Sequence, residues 1–157
     1  MARIFTIAAA CSAGLALSSP VFAQQQGEAE AKAMLLRAVA AVKADKTKAL
    51  DMFNKGEGGF LDRDLYAFCF NAGDGTILAV ADPNAKQALG LNERTIKDRT
   101  GKEIGVDIYA AAQKPEGQIT GIGPYMFLKP GDQKPAPKVT FVTRVADLGC
   151  GVGYFPN

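Results

Sequence analysis

The sequence predicts an α+β domain: a five-stranded antiparallel sheet with a long N-terminal helix packed on it. Three observations lead there. Residues 28–42 are rich in Ala, Leu, Lys and Glu, all strong helix formers. The aromatics Tyr66, Phe68 and Phe70 fall at alternate positions, the two-residue period of a strand. After Pro115 and Gly117, β-type residues return in runs near 118–128, 139–145 and 148–155, with a Pro/Gly/Lys loop at 129–137.

In chain order, Leu35, Val39 and Val42 give the first helix one apolar face, while Lys32, Arg37 and Lys43 lie elsewhere on the wheel. Asp45 reads as the N-cap of a second helical piece through Ala49, Leu50 and Phe53, and Asn54-Lys55-Gly56 ends it. Asn71-Ala72-Gly73-Asp74-Gly75 is a turn between strand 65–70 and a second run at 76–80, which makes the pair a hairpin. Residues 85–102 lack a clean period, with room for short helix and a turn at Asp98-Arg99-Thr100-Gly101. Residues 103–113 predict a short helix stopped by Pro115 and Gly117.

The 157 residues include 18 Lys plus Arg against 16 Asp plus Glu, three Cys and no His. A formal charge of +2 without a basic cluster offers no footprint for a polyanion, so no nucleic-acid partner is expected. Lack of His excludes Ser-His-Asp and Cys-His catalysis and His-ligated zinc or haem. Asp62, Asp64 and Asp74 are too scattered for a calcium loop, and no spacing joins a carboxylate pair to a nucleophile. The composition therefore argues for a protein that is not an enzyme and uses neither cofactor nor metal.

Residues 1–23 have the pattern of a secretory signal peptide: Arg3, an uncharged apolar run over 4–17, and the small-residue exit Ser18-Ser19-Pro20-Val21-Phe22-Ala23. The run is shorter than the ~20 residues a spanning helix needs. Cleavage after Ala23 is expected, leaving residues 24–157 as one periplasmic or secreted domain with no direct membrane insertion. Cys11 would go with the leader. Cys69 and Cys150 remain as an even pair in an oxidising compartment, where a disulfide is the default over two free thiols.

The ordered run of Asn54-Lys55-Gly56, Gly59-Phe60, Asp64-Leu65-Tyr66-Ala67-Phe68, Asp74-Gly75-Thr76, Asp98-Arg99-Thr100-Gly101-Lys102, Tyr125, Pro137-Lys138 and Gly151-Val152-Gly153-Tyr154 resembles the single Cache domain. The resemblance covers most of the chain after residue 23. It implies a PAS-like sheet, a long N-terminal helix, and a small-molecule pocket on the sheet under the crossover segment. It also implies an extracytoplasmic sensory module whose ligands are often small carboxylates or amino-acid-like metabolites. Two positions depart from the family: a His common after the Asp-Gly-Thr turn is replaced near Val80, and a Tyr common after the Lys-containing loop is Phe141. Each change removes a hydrogen bond toward a carboxylate. With no transmembrane or signalling segment after residue 157, the expectation is a free-standing secreted form. It would bind a small-molecule ligand and signal by contact with a membrane receptor or sensor kinase.

On such a sheet Tyr66, Phe68, Tyr125 and Phe141 gather on one face, either as pocket wall or as plain core. Lys138 is either an anchor for an anionic ligand or a solvated charge beside Lys129 and Lys134. Asp98 either accepts from a ligand or caps its own turn. The resemblance also makes the strands of Cys69 and Cys150 central neighbours. A bridge there, closing about 80 residues, would stabilise by roughly 4–5 kcal/mol on the chain-entropy model; the alternative is two buried thiols. The alternative to the sensory reading is a non-catalytic structural or protein-interaction module whose pocket is filled by side chains.

Overall fold

The computed structural model describes residues 22–156. The expected signal peptide falls mainly on residues 1–21, outside the described residues. Helix α1 (Phe22–Ala44) buries Ala31, Met34, Leu35, Ala38 and Val42, the i, i+3, i+4, i+7, i+11 stripe of one helix face. Helix α2 (Lys46–Lys55) begins where the Asp45 carboxylate accepts the Lys48 amide at 3.0 Å and stops at Gly56, whose φ of 68° is left-handed.

The strands are β1 (Leu61–Asp62), β2 (Leu65–Asn71), β3 (Ile77–Val80), β4 (Thr120–Leu128), β5 (Pro135–Val145) and β6 (Leu148–Tyr154). They form one antiparallel sheet in the order β1-β2-β6-β5-β4, with β3 also paired to β2. The five expected strands are present, and β1 adds two residues beside Leu65 and Tyr66. The β2–β3 turn is held by side chains: Asn71 Oδ1 accepts the Gly73 and Asp74 amides, and Asp74 accepts that of Thr76.

Two boundaries differ from the sequence reading: α1 begins at Phe22, ahead of residue 28, and β5 begins early. Residues 129–137 read as loop, yet pairing resumes at Pro135, opposite Leu128. Pairing of β5 to β6 begins only at Val139, so Pro135 and Pro137 lie where β5 has a single neighbour and their missing amide hydrogens are tolerated. The aperiodic crossover contains two 3-10 turns, Pro83–Ala88 and Glu93–Thr95, and then helix α3 (Ile104–Ala111). No helix among the described residues is long and apolar enough to cross a membrane.

The sheet separates two cores. On one side α1, α2 and the turn after α2 pack Leu35, Phe53 and Phe60 against Leu65, Ala67, Val145, Leu148 and Val152. On the other, α3 and the crossover pack Ile104 and Ile108 against Tyr66, Phe70, Tyr125 and Val142. Cys69 lies in register opposite Cys150, and the two form a disulfide on the helical side.

Candidate functional site

The crossover side of the sheet holds a cavity of about 70 Å³. Strand alternation sets its floor. Tyr66 and Phe68 come from β2, Tyr125 and Phe127 from β4, and Lys138 from β5, all on the face opposite Cys69. Tyr125 pairs with Lys138 although Ile122 pairs with Thr140; the intervening Gly123 and Pro124 face only Val139, a bulge that resets the alternation of β4. Ile96, Ile104 and Ile108 close the cavity from the crossover and α3.

Three glycines make this floor flat. A Cβ on Gly149 would collide with Phe70, on Gly151 with Phe68, and on Gly153 with the Lys138 side chain. Alternate glycines of β6 thus let side chains from β2 and β5 lie across its backbone.

Lys138 is 2% exposed. Its ammonium donates to the Tyr66 hydroxyl at 2.8 Å and lies 4.0 Å from the Tyr66 ring centroid, with Phe127 and Phe155 at 5.1 and 5.2 Å. Among the described residues it has no carboxylate partner within ion-pair distance. Burial pushes Lys138 down to about 7, partly offset by the charges of Asp82 and Asp64. Burial raises the Tyr66 phenol well above its ordinary value, and Tyr125, Asp82 and Glu93 push the same way. Tyr125 is also raised by burial, against the hydrogen bond of 2.6 Å that it shares with Thr140.

The remaining acid of the cavity wall is Glu93, from the second 3-10 turn, 3% exposed. Burial alone pushes its carboxyl up to about 8. A broader groove of about 570 Å³ and mixed polarity runs beside the cavity between the crossover and residues 127–133, sharing Ala85, Ala88, Ile96 and Phe127 with it.

Of the residues singled out from sequence, the fold brings together Tyr66, Phe68, Tyr125 and Lys138. Phe141 is elsewhere. It lies three residues from Lys138 on an unbulged strand and so faces the helical core, stacked 5.6 Å from Tyr154 with the Lys32 ammonium 4.7 Å from its centroid. Asp98 is also outside the cavity wall. One of its oxygens accepts from the Thr100 amide and hydroxyl and the Lys102 amide, and the other accepts the Met126 amide at 2.9 Å. Those bonds, led by the Thr100 hydroxyl, hold its carboxyl well below the usual range. It fastens the crossover turn to β4. Sequence reasoning missed Phe127, which its alternation with Tyr125 would have found, and Glu93, whose aperiodic segment carries no signal.

The model of the family described as Single Cache domain 2 matches residues 21–154. The chain belongs to this family. Cache domains are extracytoplasmic sensory modules that bind small molecules and are not catalytic. Solved structures share the fold. A methyl-accepting chemotaxis protein from Vibrio parahaemolyticus is 21% identical, with a TM-score of 0.63 over 83% of this chain and 89% of that one. A periplasmic sensor domain of a chemotaxis protein is 17% identical, with a TM-score of 0.61 over 88% of this chain and 100% of that one. A Cache chemosensory domain described for carboxylic acid recognition is 16% identical, with a TM-score of 0.58 over 85% of this chain and 93% of that one. No curated protein matches the chain.

Proposed function

We propose that this Cache domain is an exported sensory module that binds a compact carboxylate between Lys138 and Tyr66 and passes its occupancy by contact to a membrane receptor or sensor kinase. One observation carries the reading: a buried ammonium without a carboxylate partner among the described residues, at the wall of a cavity otherwise mostly apolar. Burying a cation is expensive unless an anion meets it, and a bound carboxylate supplies that anion. Tyr66 accepts from Lys138 through its oxygen, which leaves its own hydroxyl hydrogen for the ligand. The carboxylic acid recognition described for one structural neighbour supports the ligand class. Phe68, Tyr125 and Phe127 give the ligand's carbon atoms an apolar wall. In this reading residues 1–23 are the removed leader.

Calorimetric titration of the purified protein with acetate, propionate and butyrate tests the proposal. Lys138→Met is expected to weaken binding about a hundredfold, the loss typical of a buried charged hydrogen bond. Its Tm should be unchanged or higher, because a buried unpaired charge is replaced by an apolar chain of similar length. Undiminished affinity removes Lys138 as the anchor. A second reading, a structural or protein-interaction module with a filled cavity, is favoured by the three rings and the hydroxyl that already surround the ammonium. It predicts no heat and no thermal shift with any small acid.

A further inference from the structure

Glu93 has a main chain fixed on three sides and a side chain with nothing to hold. Its amide donates to the Gly75 carbonyl at 2.7 Å, and its own carbonyl accepts the Ile96 amide at 3.0 Å. The third restraint is steric: a Cβ on Gly105, at the start of α3, would collide with the Glu93 carbonyl oxygen, so only glycine lets the helix approach this close. The neighbouring Arg94 points away, donating to the Asp74 carbonyl at 2.6 Å and lying over the Tyr109 ring. The Glu93 carboxyl makes no hydrogen bond or ion pair among the described residues, and it forms part of the wall of the same cavity as Lys138. A carboxyl buried to this degree without a partner is destabilising, and its persistence at a cavity wall calls for a partner inside that cavity.

We propose that Glu93 is a second polar pole of the cavity, selecting carboxylates that also carry an uncharged oxygen, a hydroxyl or oxo group, over plain alkyl acids. The inference rests on the carboxylate reading of Lys138 above. Three features select this chemistry. A protonated carboxyl donates through its O–H and accepts through its C=O, which a hydroxyl satisfies reciprocally and an oxo group meets by accepting. Burial keeps Glu93 in that neutral form at neutral pH. An ammonium, by contrast, brings three donors to a wall where Glu93 is the one carboxyl, where Tyr66 already accepts from Lys138 and Tyr125 is paired with Thr140. The volume of about 70 Å³ restricts the ligand to a few carbon atoms.

Propionate, lactate, pyruvate and alanine share a three-carbon frame and separate the possibilities by calorimetry on the purified protein. Lactate or pyruvate is expected to bind at least about tenfold more tightly than propionate, the worth of one satisfied buried hydrogen bond. Glu93→Leu should abolish that preference while keeping propionate affinity within about threefold; Glu93→Gln, which still donates and accepts, should retain most of it. Retained propionate binding also shows that each variant is folded. Equal affinities for propionate, lactate and pyruvate in the unmodified protein overturn the second pole and leave the anion site standing. Alanine as the tightest ligand, with its advantage lost in Glu93→Leu, overturns the uncharged-oxygen specificity. Failure of all four to bind overturns both this inference and the carboxylate reading.

Discussion

The two faces of the sheet are built from the same strands and treat polarity in opposite ways. On the helical face β2 and β6 contribute Leu65, Ala67, Cys69, Leu148, Cys150 and Val152, and the covalent bridge lies among them. On the crossover face the same strands contribute Tyr66 and Phe68 and the bare backbone of three glycines, which leaves room for a lysine and a glutamate buried without each other. The first face carries no buried ionisable group among these strand residues, and its one unpartnered buried polar atom among the described residues is the Thr143 hydroxyl. The second carries two ionisable groups with no ion-pair partner among the described residues, the lysine met only by a hydroxyl and three rings, the arrangement expected where binding, not stability, sets the residue.

The largest effect with which to break this contrast is removal of the bridge. A Cys69→Ala/Cys150→Ala protein should lose roughly 4 kcal/mol of stability, since the disulfide spans a sequence separation of 81 residues. Thermal melts should show a Tm lower by roughly 10 °C or more. The affinity of the folded fraction for its ligand should be unchanged; a parallel loss of affinity would mean that the two faces are not separable. Intact mass after alkylation of the unmodified protein should show neither cysteine labelled without reductant.

Titration sharpens the same comparison. Glu93, raised to about 8 from an ordinary 4.5, binds more protons when folded, so its contribution is complete below pH 4.5 and is lost as pH rises through 8. Lys138, lowered to about 7 from 10.5, binds fewer protons when folded, so its contribution is complete above pH 10.5 and is lost as pH falls through 7. The two windows overlap near neutrality and predict a minimum of Tm between pH 7 and 8. Glu93→Gln should flatten the acid side and Lys138→Met the alkaline side. A bound carboxylate, by favouring the ammonium, should also flatten the alkaline side. A Tm profile identical in both variants would mean that neither group is buried in solution.

The smallest expected effect is at Phe141. Phe141→Tyr adds a hydroxyl on the helical face, so ligand affinity should stay within about twofold and the change should register, if anywhere, in Tm. An affinity gain of tenfold would place residue 141 at the cavity after all.

Much of the fold was legible because local rules decided it. Asp45 and Gly56 cap and stop α2 as their chemistry dictates, and the parity of Tyr66, Phe68 and Cys69 assigned both faces of β2. The family resemblance, read from the order of motifs, agrees with the match over residues 21–154. The site was legible only in part. Tyr125 and Ile122 share a face because of a bulge that no simple period reveals, whereas Lys138 and Phe141 are separated by a parity that the sequence does display. Glu93 was invisible because its position is fixed by tertiary contacts with Gly75 and Gly105, not by any periodicity of its own segment.

The glycine row of β6 sets how thick the wall is between cavity and helix. Lys138 rests on the main chain at Gly153, with no side chain between them, and the opposite surface of that strand packs directly on α1. The peptide layer of β6 and the Leu148, Cys150 and Val152 side chains on its far surface separate the chamber from the helix, and that layer is riveted to β2 through Cys150. Anything that displaced the lysine would press on backbone at Gly153 at once, with one row of β6 side chains between that backbone and the outer helix.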